Sequence, residues 1–179
     1  MPFDPARELV LLDAARTLLD EAWTATEEPR TADDTVETAF FRNLSLTAEV
    51  TTVAPLKGRR LILFPWAYNA VAMTRESQWR GYTLFLALVE PFQAVDGGAK
   101  SPDDAWMRER FNFFEWAFNK LSNPGLVLAG SFTPALEEEA KVEVPYDRDK
   151  LSVNKLFAAW ASFPFSEITE WNGEEGTIT

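Results

Sequence analysis

Apolar residues near the start of the chain fall at helical spacing: Leu11, Leu12, Ala15, Leu18, Leu19, Ala22 and Trp23. Glu8, Asp13, Arg16, Asp20 and Glu21 fill the other face. The pattern predicts an amphipathic helix of about five turns. Asp4-Pro5 suits its start, with a capping carboxylate and a proline for the first helical position. A second helix is predicted from Ser101-Pro102-Asp103-Asp104 onward. Met107, Phe111, Phe114, Phe118 and Leu121 form its apolar stripe, widened by Trp106, Phe113 and Ala117. Asn123-Pro124-Gly125 stops it. Between and after the helices the period shortens to that of strands. Leu46, Ala48 and Val50 alternate with polar residues. Arg60–Phe64 reads as a short strand ended by Pro65. Trp79–Val89 is apolar on both faces, with Tyr82, Leu84, Leu86 and Leu88 on one, and is expected to be covered on both sides. Val142–Tyr146 and Asn154–Phe163 complete the predicted strands. Residues 24–38 read as a polar linker, and residues 66–78 show no period at all.

Two long amphipathic helices must each bury a stripe, and the strands offer apolar faces to receive them. The predicted class is α+β, a mostly antiparallel sheet with both helices packed on one face. A chain of 179 residues, 46% apolar, suits one such domain. It is assigned to residues 1–171, with 172–179 as a frayed tail. No apolar run is long enough for a membrane span.

Composition narrows the chemistry. There is no histidine and no cysteine. Ser-His-Asp and Cys-His mechanisms, thiolate metal sites, disulfides and His-ligated zinc are therefore excluded. No catalytic, cofactor-binding or metal site is predicted. The net charge is −11, with a pI near 4.5, which excludes a generally basic nucleic-acid-binding surface. Asp147-Arg148-Asp149, with Glu143 nearby, lacks the spacing and glycine of a calcium loop and reads as an exposed turn. Lys57, Arg59 and Arg60 form the one tight basic cluster and read as the flank of a hairpin.

A surplus of large side chains remains. Trp66, Tyr68, Met73 and Arg75 fall in the aperiodic stretch, and Phe165 and Trp171 follow the last strand, near Trp160, Phe163 and Ile168. Exposed apolar clusters mark partner surfaces, and interface cores favour these residue types. Trp66, Tyr68, Met73, Arg75, Phe165 and Trp171 are thus the candidate interface. The stretch 66–78 is expected to order only against a neighbouring subunit.

The order of pieces resembles a known family. An N-terminal helix (ARELVLLDAARTLLDEAW) precedes a strand ending in proline (RRLILFPWAYN). A loop with Thr74-Arg75 leads to a two-faced strand (WRGYTLFLALVEPF), then a helix (DDAWMRERFNFFEWAFNKL). A Val-Pro-Tyr segment (VEVPYDRDKL) enters the last strand (LFAAWASFPF). Over roughly residues 5–166 this is similar to the tail terminator, or tail completion, proteins of tailed bacteriophages. The resemblance implies a non-enzymatic virion protein of the neck, assembled in the host cytoplasm as a homo-oligomeric ring, typically a hexamer. Its partners would be the tail tube protein and the head-tail connector or stopper protein, with DNA passing the lumen unbound and no membrane involved. An acidic wall suits that passage, because it repels phosphates. The competing reading from charge and aromatics is an acidic inhibitor, of the immunity type, that binds a basic toxin or nuclease one-to-one.

Overall fold

The computed structural model describes residues 6–26, 30–39, 57–72, 77–92, 102–135, 138–149, 151 and 156–170. The chain order is α1 (Arg7–Thr24), β1 (Thr35–Thr38), β2 (Arg60–Ala72), β3 (Ser77–Pro91), α2 (Asp104–Leu121), β4 (Thr133–Pro134), β5 (Lys141–Val144) and β6 (Leu156–Glu170). The strands form one six-stranded sheet in the order β1-β2-β3-β6-β4, with β5 also on β6. β1 and β2 run parallel; the other pairings are antiparallel. The fold is α+β with a mixed, mostly antiparallel sheet.

Alternation along the strands assigns the two faces. Leu61 and Leu63 of β2, Tyr82, Leu84, Leu86 and Leu88 of β3, and Phe157, Ala159, Ala161, Phe163 and Phe165 of β6 share one core with Leu11, Leu12, Ala15, Leu19 and Trp23 of α1. Phe113, Phe114, Ala117 and Leu121 of α2 join the same core, so both helices cover one face. On the opposite face Phe64, Ala87, Val89 and Leu156 form a smaller cluster with Ile62, Phe85 and Trp160. β3 is therefore central and apolar on both sides, as its pattern predicts.

α2 begins where its caps predict. The Asp103 carboxylate accepts the Trp106 N–H at 2.7 Å, satisfying one of the free donors of the first turn. The buried side of α2 is rotated from the predicted stripe. Phe113, Phe114, Ala117 and Leu121 are buried, whereas Met107, Phe111 and Phe118 are half-buried at its margin. Arg110 also lies on the buried side.

Three strand assignments change. β1 falls inside the predicted linker. It is only four residues with one buried side chain, Val36, too short to show a period. β2 does not stop at Pro65 but runs to Ala72 and pairs with β3 as far as Ala72–Gln78. Residues 66–72 and 77–78 thus belong to a hairpin and are ordered within the chain, contrary to the expected partner-dependent loop. The pairing register shifts between Pro65 and Ala67, a bulge at Trp66. The bulge inverts the phase of the side chains, and a proline without an N–H is tolerated there. β6 likewise runs past Phe163 to Glu170, paired with β3 throughout. The predicted strand around 46–50, the Asp4-Pro5 start and the 172–179 tail lie outside the described residues.

The basic cluster sits at the entry to β2, not in a hairpin turn. Arg59 pairs with Asp34 at 3.7 Å and Arg60 with Glu37 at 3.4 Å. Asp34 also accepts the Arg59 backbone N–H at 2.6 Å and that of Thr31 at 2.8 Å. Gly58, at φ +69°, passes so close that a Cβ there would stand 2.5 Å from the Asp33 carbonyl oxygen. Among the described residues, no helix is long and apolar enough to cross a membrane.

Candidate assembly surface

The bulge in β2 decides where Trp66 points. It stands on the face away from the helices, against Phe85 (ring centroids 5.0 Å apart), which itself stacks on Phe64 at 5.4 Å. Trp66 nevertheless leaves 66% of its surface open to solvent. Ile168 of β6, on the same face by alternation, is 64% exposed. Its register partner on β3 is Trp79, whose indole lies across Gly81. A Cβ at Gly81 would come within 2.5 Å of the Trp79 ring, so the glycine lets the indole lie flat on the sheet. Three paired strands hold Trp66, Trp79 and Ile168 in place, and a paired sheet cannot fold over to hide them.

Of the sequence-predicted interface residues, Trp66 is placed on this surface. Tyr68 lies in β2 opposite Tyr82, with its side chain outside the described residues. Met73, Arg75 and Trp171 also lie outside them. Phe165 is a correction: it is 1% exposed and part of the core. Its register partner is Tyr82, which fixes it on the helix-covered face. Ile168, three residues on, has the opposite parity and is the exposed member of that cluster.

Two buried ionic networks went unread in the sequence. Glu167, 1% exposed, receives Arg7 from the start of α1, with Arg7 Nε at 3.3 Å. It also accepts the Ser131 hydroxyl at 2.8 Å and the Tyr82 hydroxyl at 3.3 Å. Burial pushes the Tyr82 hydroxyl up to about 12, with the Glu167 charge adding to it and Arg80 opposing. Burial also pushes the Glu167 carboxyl up, but Arg7, Ser131 and Tyr82 outweigh it and leave it below its ordinary value. A carboxylate committed to this many donors is a poor general base. It acts as a clamp holding α1 to β6.

The second network joins β3 to α2. Arg110 donates from Nε and Nη2 to the two oxygens of Glu90 at 3.0 and 2.5 Å, and from Nη1 to Glu109 at 2.5 Å. Its guanidinium also lies 4.4 Å from the Trp106 ring centroid. Burial raises the Glu90 carboxyl above its usual range, against the pull of Arg110. The one available signal was Arg110 itself, a charge one residue from the predicted stripe.

Near the candidate calcium residues, Asp147 accepts the Asp149 N–H at 3.1 Å, and Glu143 accepts the Ser162 hydroxyl at 2.9 Å and pairs with Lys141 at 3.2 Å. These partners hold the carboxylates within the turn and the β5–β6 edge. Among the described residues, no group of three or more carboxylates is placed to hold a metal ion.

The lowered Glu167 carboxyl gives a pH prediction. A carboxylate lowered on folding stabilises the protein fully above its unfolded value, 4.5, and loses that contribution as pH falls through its folded value. Urea melts should therefore show stability falling below about pH 4.5 in the wild type. Glu167→Gln should be less stable at pH 7 and show a shallower fall.

Sheet and surface together define a one-faced α+β domain with a rigid aromatic surface opposite its helices. No protein-family model matches the chain, and no curated protein matches it in sequence.

Proposed function

We propose that the protein is a non-enzymatic assembly subunit, a tail terminator of the tailed-phage type that closes into a ring between the tail tube and the head-side connector. The observation that carries this reading is Trp66, 66% exposed at the bulge where β2 pairs with β3. Burying a large aromatic returns roughly 1.5–3 kcal/mol, which a partner covering Trp66 would collect. Repetition around a ring multiplies the gain at each subunit boundary. A first helix, a second helix and a long closing strand come in the order the terminator resemblance has them, although β2 runs on past Pro65. A charge of −11 suits a ring through which DNA passes without sticking. The histidine- and cysteine-free composition supports a structural role. On this reading the protein is a component of the virion neck.

The experiment is tail completion in vitro. Tail tubes mixed with wild-type protein should stop at one length and carry a ring at one end in electron micrographs. Trp66→Asp gives up the Phe85 contact and should cost about 1–2 kcal/mol while the chain stays folded, and should leave tubes uncapped. Capping by Trp66→Asp equal to wild type would remove the surface from the account. A one-to-one complex with a basic toxin, and no interaction with tubes, would favour the inhibitor reading instead.

A further inference from the structure

On the far side of the sheet from β2, a groove of about 350 Å³ lies between the C-terminal end of α2 and the segment carrying β4 and β5. Phe118, Leu121, Pro134, Ala135 and Phe163 supply apolar walls. Leu121 and Phe163 are each 1% exposed and Phe118 packs on Phe163 at 5.2 Å, so the floor is part of the core and is preformed. Pro124, Pro134 and Pro164 also line it. Proline has no N–H, so these positions add no backbone donor, and the Pro164 carbonyl is already taken by the Ala135 N–H at 3.0 Å.

The charge around the groove has one sign. Glu138 and Glu139 stand on it, both exposed, and among the described residues no Lys or Arg lines it. α2 ends at Leu121, with the Ser122 N–H capping the Phe118 carbonyl at 2.9 Å. The remaining last-turn carbonyls carry the negative end of the helix dipole, equivalent to roughly half a charge and partly offset by Lys120 in the same turn. An apolar floor beneath two carboxylates and a helix C-terminus has a definite complement.

We propose that this groove docks a segment of a partner protein in which a large apolar side chain is flanked by Lys or Arg. The apolar side chain fills the floor between Phe118, Leu121 and Phe163. The flanking cation reaches Glu138, Glu139 and the helix end, where donors meet acceptors. Charge selects this occupant over the others. A nucleic acid brings phosphates to a negative rim, and an acidic segment brings like charge. The assignment stands independently of the ring reading, because it concerns a different side of the molecule and a different partner.

The test is fluorescence anisotropy on the full chain at physiological salt. The probe is the labelled peptide Gly-Ser-Lys-Leu-Phe-Lys-Ser-Gly. Two controls replace its lysines with Glu, or its Leu-Phe with Ser-Ser. The wild type should bind the lysine peptide saturably and at least tenfold more tightly than either control. The double variant Glu138→Lys, Glu139→Lys changes two exposed positions and should melt as the wild type does. It should reverse the preference, binding the glutamate peptide at least tenfold more tightly than the lysine one. Equal binding of the lysine peptide by wild type and variant, or of the Ser-Ser control by the wild type, would overturn the proposal. Loss of self-association in the double variant, without a change in peptide preference, would overturn it in favour of a second copy as occupant. Failure in this assay leaves tail capping through Trp66 unaffected, so the two readings fail separately.

Discussion

Arg110→Ala is expected to lower the unfolding free energy by about 3–5 kcal/mol, the cost of leaving one member of a buried pair alone. Glu90 and Arg110 are 8% and 9% exposed, and two parallel hydrogen bonds join them across the β3–α2 interface. Removing the guanidinium strands a carboxylate in the interior and takes the cation from the Trp106 face. The pH dependence contributed by Glu90 should steepen with it. Burial already raises the Glu90 carboxyl, and Arg110 is the main force opposing that rise. The folded wild type already binds a proton at Glu90 more readily than the unfolded chain does, and without Arg110 it does so more strongly still. Stability of the variant should then increase as pH falls from 7 toward 5, where it can neutralise the stranded group. Glu90→Met with Arg110→Met should recover most of the loss, because an apolar pair of similar volume avoids desolvating two charges. Denaturant melts of the wild type and the two variants at both pH values check this. A single variant within about 1 kcal/mol of wild type would place the pair outside the stability of the fold.

Trp23→Ala should cost a similar amount, about 3–5 kcal/mol. Trp23 is fully buried near the end of α1 and meets Phe113 of α2 at 4.7 Å between ring centroids. Arg30 and Arg59 lie 4.7 and 5.4 Å from its ring centroid, so one indole joins both helices to the Asp34–Arg59 entry of β2. Its Nε1–H has no hydrogen-bond partner. Trp23→Phe should therefore keep much of the stability, since it retains an aromatic ring and removes an unsatisfied buried donor. Equal losses for Ala and Phe would show that the whole indole volume, rather than the aromatic contact, is what the site needs.

The parts of this fold that could be read from sequence are those where one local signal dominates. The two-faced pattern of Trp79–Val89 gives a central strand, because burial on both sides leaves no polar alternation to disguise it. Asp103 marks the start of α2 through a short-range bond to Trp106. The errors lie where a single residue interrupts a period. Pro65 mimics the end of a strand, and the bulge beside it shifts the phase, so residues 66–72 look aperiodic although their backbone pairs regularly. β1 is held by a parallel partner distant in sequence, and four residues cannot announce that. On the candidate surface the sequence pattern named Trp66 but misplaced its β6 member. Phe165 and Ile168 belong to one aromatic-rich run. Only their register against Tyr82 and Trp79 sends the first into the core and the second to solvent. The Glu167 clamp joins Arg7, Tyr82 and Ser131, which no short motif connects.

The central claim is that the Trp66 face closes a ring, and the mass of the assembly tests it most directly. Sedimentation velocity of the wild-type chain, alone and with tail tubes, should show a closed assembly of several chain masses, about six for the hexameric ring that the terminator reading proposes. Trp66→Asp should sediment as a folded monomer under the same conditions. A wild type that stays monomeric in both conditions, or a variant that forms the same species, would contradict the account.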